Sequence, residues 1–194
     1  MTNEREILIQ FAEKLISNIA DQWRGHWCFF AGFAFLLNGV EKKTYDIDVL
    51  AKDKETYQHI GNIVRDMGMH SKNASEIFSS FLARSSGKGS SKELSLDLLL
   101  ISDEWARHFS DMWTDLEFKQ LGDFKFPVPK PIDLILLKII VNANRKLGDE
   151  KKERDLVDVQ QLMLKRRIVR QQIVEEATNR GLEDITLRFL GKLK

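Results

Sequence analysis

Cysteine is almost missing from this chain: Cys28 stands alone among 194 residues. A single thiol excludes an intrachain disulfide and any zinc site built from several thiolates, and it fits a reducing, cytoplasmic setting. The four histidines, at 26, 59, 70 and 108, lack the short spacing that sets two imidazoles on one helical face, so no histidine metal site is expected. No apolar run is long enough for a membrane. The longest, Ile132 to Val141, is broken by Lys138, whereas a span needs about 20 apolar residues. The opening Met-Thr-Asn-Glu-Arg-Glu has no basic segment followed by an apolar one, which predicts no secretory signal. Charge of one sign is also scarce, since the net value is +1, but it is unevenly spread. Residues 1–128 hold 15 Lys/Arg against 19 Asp/Glu, and 129–194 hold 15 against 10. That basic excess can attract polyphosphate, yet a nucleic-acid footprint shows a denser stripe.

Proline is rare too, and its three copies, Pro127, Pro129 and Pro131, crowd together. The residue before a proline avoids helical backbone, so the cluster predicts an extended connection. It divides the chain into 1–128 and a helical region, 129–194, packed on it. In the first part, Ile7, Phe11, Leu15 and Ile19 recur at helical spacing, predicting a helix over 4–20. Trp27 to Phe30 reads as a strand, Ala31-Gly32 as a tight turn, and Phe33 to Leu37 as a short helix. Asp53 is placed to cap a helix carrying Ile60, Val64 and Met67. Ile77 to Arg84 and Leu94 to Ile101 read as strands flanking a Gly/Ser/Lys-rich tip at 85–92. Trp105, Phe109, Met112, Trp113 and Leu116 suggest another helical stripe over 103–121, or an irregular aromatic loop. Beyond the prolines, helical patterns cover 132–146, 150–166, 170–180 and 182–192. The fold class expected is α+β: a small mixed sheet flanked by helices, followed by a C-terminal helical region.

Tyr45-Asp46-Ile47-Asp48-Val49-Leu50 alternates strictly. On a strand, period two sends both aspartates to one face while Ile47 and Val49 hold the other in the core. Asp97 is the one acidic residue in the apolar run Leu94 to Leu100, and a buried carboxylate there calls for compensation. Hard divalent cations such as Mg²⁺ or Mn²⁺ take oxygen ligands. Asp46, Asp48 and Asp97 are therefore the candidate metal ligands and catalytic residues. Such a cluster suits in-line attack on the α-phosphate of a nucleoside triphosphate (NTP), where two metal ions stabilise the entering and leaving oxygens. The Ala31-Gly32 turn and the helix after it are the candidate cradle for the triphosphate.

The run Phe30 to Gly39, followed by Lys43-Thr44-Tyr45-Asp46-Ile47-Asp48-Val49, resembles the minimal nucleotidyltransferase superfamily. The order of glycine turn, short helix and basic-Thr-x-Asp-x-Asp looks most like AbiE-type toxins and related uncharacterised bacterial families. Lys138, Arg145 and Arg154-Asp155-Leu156-Val157-Asp158 resemble those families' downstream pattern. The resemblance covers roughly residues 27–160, with the first block carrying the specificity. It implies a nucleotidyltransferase palm that moves a nucleoside monophosphate from an NTP to RNA, a protein or a small molecule. It also implies nucleotide contacts from Gly32, Phe33, Lys43, Lys138 and Arg145, and a toxin–antitoxin or phage-defence setting with an antitoxin partner. Where the family turn is commonly Gly-Gly or Gly-Ser, this chain has Gly32-Phe33, and where it often has Arg, Lys43 stands. The turn motivates an alternative, a non-catalytic domain that keeps the fold to bind a nucleotide or partner.

Gly87-Lys88-Gly89-Ser90 lacks the spacing of a phosphate-binding P-loop and reads as a hairpin tip. Lys138, on an apolar helical face, either reaches the phosphates or snorkels from the core. Arg145, Lys151 and Lys152 either meet phosphates or lie on a solvated face, and Asp155 and Asp158 read as structural partners of nearby lysines. The four tryptophans read as core or interface, and Cys28 as an inert buried thiol.

Overall fold

A computed structural model describes residues 3–41, 44, 46–83, 94–146 and 148–193. Lys43, Tyr45 and the tip at 85–92 lie outside the described residues. Helix α1 (Asn3–Asn18) leans on the sheet; Leu15 and Ile19 of the expected stripe are buried, and only at the start of the helix does the buried face shift by one position. Leu8, Ala12 and Leu15 are buried while Ile7 is exposed. Adjacent Ile7 and Leu8 both fit a helical stripe, and packing rather than spacing chooses between them.

Strand β1 (Trp27–Phe30) runs directly into helix α2 (Ala31–Leu37). The turn between them puts Ala31 in the left-handed region, at φ 46°. Strand β2 (Asp46–Ala51) follows, then helix α3 (Lys54–Asp66), whose first turn is capped by Asp53 accepting from the Thr56 amide at 2.8 Å. Strands β3 (His70–Ala74), β4 (Phe78–Ala83) and β5 (Leu94–Leu100) complete a mixed sheet in the order β1-β2-β5-β4-β3. Only β2 and β5 are parallel, joined by a crossover through α3. One face of the sheet buries Ile47, Val49, Leu96, Leu98 and Phe81 under Ile60 and Val64 of α3. Period two then sends Asp46, Asp48, Ser95 and Asp97 to the opposite face.

Residues 103–121 do not form one helix. They make a single turn, α4 (Asp103–Ala106), a 3₁₀ turn at Met112–Thr114, and strand β6 (Glu117–Leu121). The aromatics are buried by a clamp rather than a helical face. Arg180 donates to the His108 carbonyl at 2.9 Å, lies 5.2 Å over the Phe109 ring, and pairs with Asp111. Strand β7 (Phe124–Val128) pairs with β6 and sets Phe126 against Phe29 and Phe33.

Pro131 opens helix α5 (Pro131–Asn144), where a missing N–H costs nothing. This helix is buried nearly all round, packed by α2 and by helices α6 (Lys151–Arg166), α7 (Arg170–Asn179) and α8 (Glu183–Leu190). The architecture is the expected α+β one, a sheet flanked by helices with a C-terminal helical layer. Among the described residues no helix is long and apolar enough to cross a membrane.

Candidate functional site: a carboxylate cleft between sheet and helices

The adjacency of β2 and β5 builds the site. Their parallel register sets Asp48 directly beside Asp97 and Asp46 beside Ser95. Asp46 is exposed at the start of β2 and accepts a hydrogen bond from the Ser95 hydroxyl. Asp48, deeper in the cleft, accepts from the Gly32 amide at 3.3 Å. The left-handed backbone at Ala31 turns that amide back toward β2.

Three carboxylates on one face repel each other, and two of them show it. Burial, then the neighbouring Asp97 and Asp46, push Asp48 up to about 7, against the opposing pull of Lys138 and the Gly32 amide. Burial also raises Asp97, with Asp46 adding to it, while the Ser80 hydroxyl, Lys151 and Lys72 oppose the shift. Among the described residues no three acidic, histidine or cysteine groups are already drawn together as a metal cage. The donor set nevertheless suits a hard divalent cation, being all carboxylate, held on adjacent strands and destabilised by its own charge.

A basin of about 750 Å³ is lined by all three aspartates together with Gly32, Thr44, Lys138 and Arg145. Among the described residues, seven carboxylates and four cations line it. Opening from it is a chamber of about 290 Å³ between the sheet and α5. The two volumes share Ala31, Asp48, Asp97, Lys138, Arg145 and Lys151. The chamber's other walls are apolar, from Phe30, Phe78, Leu99, Leu134, Leu137 and Val141 among others.

Helices α5 and α6 supply the opposite wall through a buried ionic lattice. Lys138 is only 8% exposed, and its ammonium lies 2.7 Å from Asp155 and 3.3 Å from Asp158. Arg145 donates through Nε to Asp155 at 2.9 Å and reaches Asp149 at 3.5 Å. Asn142 donates to the Lys152 carbonyl at 3.0 Å. Asp155 thus pairs with Lys138 of α5 and with Arg145 just past that helix's end, and Asp158 with Lys138. The lattice holds Lys138 and Arg145 in the wall of the cleft, and Lys138 also lies 5.6 Å from the Phe35 ring.

The structure therefore gathers Asp46, Asp48, Asp97, Gly32, Lys138 and Arg145 around one cleft. It does not bring the Phe33 side chain there. Phe33 is wholly buried, 5.0 Å from Phe29 and 5.8 Å from Phe126, because it begins the inward face of α2. Cys28 is likewise sealed in the core, and burial pushes its thiol up. Sequence reasoning passed over Ser80 and Ser95. Both were within reach of period two, since Ser95 precedes Asp97 by two on β5, and Ser80 faces Asp97 across β4.

No family profile matches this chain, and no curated protein does. Solved structures match its fold. ANT(2")-Ia, determined in complex with adenylyl-2"-tobramycin, superposes with a TM-score of 0.60 at 13% identity, covering 97% of this chain and 99% of its own. A nucleotidyltransferase-like antigenic protein from Paracoccidioides brasiliensis gives a TM-score of 0.55 at 17% identity, over 83% and 75%. At these identities the likeness establishes the fold, which is that of nucleotidyltransferases.

Proposed function

We propose that this protein is a divalent-metal-dependent nucleotidyltransferase that moves a nucleoside monophosphate from an NTP to an acceptor and releases pyrophosphate. The observation that carries the reading is the in-register pair Asp48 and Asp97, with Asp46 on the same face, opposite a wall of anchored cations. Asp46, Asp48 and Asp97 are the residues that would hold Mg²⁺ or Mn²⁺. A cation bound there supplies neutralising charge to the phosphates and the leaving group. Gly32 presents its amide, and Lys138 and Arg145 present positive charge, toward the triphosphate. The acceptor oxygen bonds to the α-phosphorus as the bond to the bridging oxygen breaks, and pyrophosphate departs with the electron pair. The acceptor's hydroxyl proton passes to Asp97, the carboxylate that lines both the basin and the chamber beside it.

Residues 129–194 act in this proposal as the half of the cleft that closes over the nucleotide. Resemblance to AbiE-type toxins extends the proposal to a cytoplasmic toxin of a toxin–antitoxin or phage-defence system, restrained by an antitoxin protein. RNA, a protein hydroxyl and a small molecule are the acceptor classes. The test is transfer of label from α-phosphate-labelled NTPs, with Mg²⁺ or Mn²⁺, into RNA, protein and small-molecule fractions. Label that enters one fraction, and is absent with the Asp46→Ala/Asp48→Ala double variant, supports the reading. Transfer that persists in the double variant refutes it.

A further inference from the structure

Beyond the residues it shares with the basin, the chamber is lined only by apolar side chains that hold neither a metal nor a triphosphate, and its position gives it a task. In-line displacement sets the entering oxygen and the departing pyrophosphate on opposite sides of the α-phosphorus. Gly32 and Arg154 line the basin but not the chamber, which places the triphosphate on the basin side. Asp97 lines both volumes. Beyond it, Leu99 on β5 and its register partner Phe78 on β4 continue the same sheet face into the chamber. Across from them stand Leu134, Leu137 and Val141 of α5.

Resting on the transfer reading above, we propose that the chamber holds the acceptor, a small molecule whose reacting hydroxyl sits on an apolar, ring-sized body. The chamber's volume of about 290 Å³ lies at the small end of ligand pockets, which run from about 300 to 1,000 Å³. A nucleic-acid acceptor fits the surroundings poorly. The residues that line the chamber alone, Leu99, Leu137 and Val141 among them, are all apolar, so they offer no cation to a strand's phosphates.

Val141 is half-buried on the chamber side of α5 and lines the chamber but not the basin. It therefore allows the chamber to be blocked without touching the carboxylates. The probe is 1-anilinonaphthalene-8-sulfonate, whose fluorescence rises in apolar surroundings. It is titrated into the wild type, Val141→Trp, Val141→Lys, and Ile7→Glu as a control at an exposed isoleucine of α1 that lines neither volume. In parallel, Mg²⁺-dependent binding of a non-hydrolysable ATP analogue is measured by calorimetry on each protein. Label transfer is then assayed with a phenolic alcohol, glycerol, single-stranded RNA and a serine peptide.

The expected result is probe affinity reduced about tenfold, or about 1.4 kcal/mol, in both Val141 variants and unchanged in Ile7→Glu. Analogue binding stays at the wild-type level throughout, and label enters the phenolic alcohol alone. Analogue affinity that falls with the probe would assign the chamber to the nucleobase and overturn the proposal. So would label in RNA or peptide, or probe binding indifferent to Val141. Absence of Mg²⁺-dependent analogue binding in the wild type would remove the transfer reading itself, whereas intact analogue binding with an unaffected probe removes only the chamber's assignment.

Discussion

Replacing Asp48 by Asn is expected to stabilise the fold while abolishing the proposed chemistry, and the size of the gain follows from the cleft. Burial and the adjoining Asp97 and Asp46 carboxylates raise the Asp48 pKa from 3.8 to about 7. A rise of about three units, at about 1.36 kcal/mol each, sets an upper bound of about 4 kcal/mol on the cost of ionising it in the fold. Side-chain relaxation and water entry reduce the expected gain to about 2 kcal/mol. For a chain of this length that is a melting-temperature rise of about 4–8 °C. The pH dependence fixes the cause. A carboxyl whose folded pKa lies above its unfolded value carries no cost while protonated. The penalty is absent below about pH 4, grows between about pH 4 and 7, and is complete above about pH 7. Wild-type stability therefore falls as pH rises through that window, and the variant escapes this loss. Urea denaturation followed by circular dichroism at about pH 4, 6 and 8 measures the difference, in which groups far from the cleft cancel. A gain of about 2 kcal/mol at about pH 8, shrinking toward zero at about pH 4, is expected. A variant no more stable than wild type at about pH 8, or a gain flat with pH, would refute the argument that burial and neighbouring charge make Asp48 costly to ionise in the fold.

Three other substitutions probe the elements around the cleft. Ala31→Gly relieves a left-handed residue at φ 46° and is expected to add about 0.5–1 kcal/mol in thermal denaturation; a loss of stability would show that the Ala31 methyl packs where strain was inferred. Asp155→Asn takes from Lys138 its closest partner, at 2.7 Å, and from Arg145 a charged acceptor. An urea midpoint shift equivalent to about 3–5 kcal/mol is expected, as for a broken buried ion pair, and less than about 1 kcal/mol would mean the lattice is dispensable. Arg180→Met removes the guanidinium that lies 2.8 Å from buried Asp133 and 2.6 Å from Glu176. A comparable destabilisation is expected, smaller below about pH 6, because burial raises Asp133 to about 6 and its protonation there relieves the unpaired charge.

The parts of this molecule that were legible in its sequence are those governed by short-range pattern. Alternation around Ile47 and Val49 located β2 and the facing of Asp46 and Asp48, and one acid in an apolar strand pointed to Asp97. Asp53 announced α3 by its capping chemistry, and helices α5 to α8 followed from helical spacing and the glycines between them. Strand β3 was missed because all five of its residues are exposed, so it shows no alternation. The stretch from Trp105 to Leu116 left a helix and an irregular aromatic loop both open, and an irregular segment formed; large side chains at helical spacing are also what such a segment shows when clamped from afar. Its clamp, Arg180, lies 72 residues from His108, and no local pattern encodes that pairing. The same holds for the ties from Lys138 and Arg145 to Asp155, which depend on two helices meeting side by side. The burial of Leu8 instead of Ile7 at the start of α1 reflects a packing choice that spacing leaves open. The left-handed Ala31 was invisible for another reason, since alanine gives no sign of positive φ.

The central claim is that the Asp46, Asp48 and Asp97 face binds an NTP through a divalent cation. Calorimetric titration of a non-hydrolysable ATP analogue into wild type and Asp48→Asn, each with Mg²⁺ and with EDTA, tests it most directly. The account predicts binding to the wild type that requires Mg²⁺ and weakens by at least about tenfold in Asp48→Asn, even though that variant is the more stable protein. Binding that is equal with and without Mg²⁺, or that survives intact in Asp48→Asn, would contradict it.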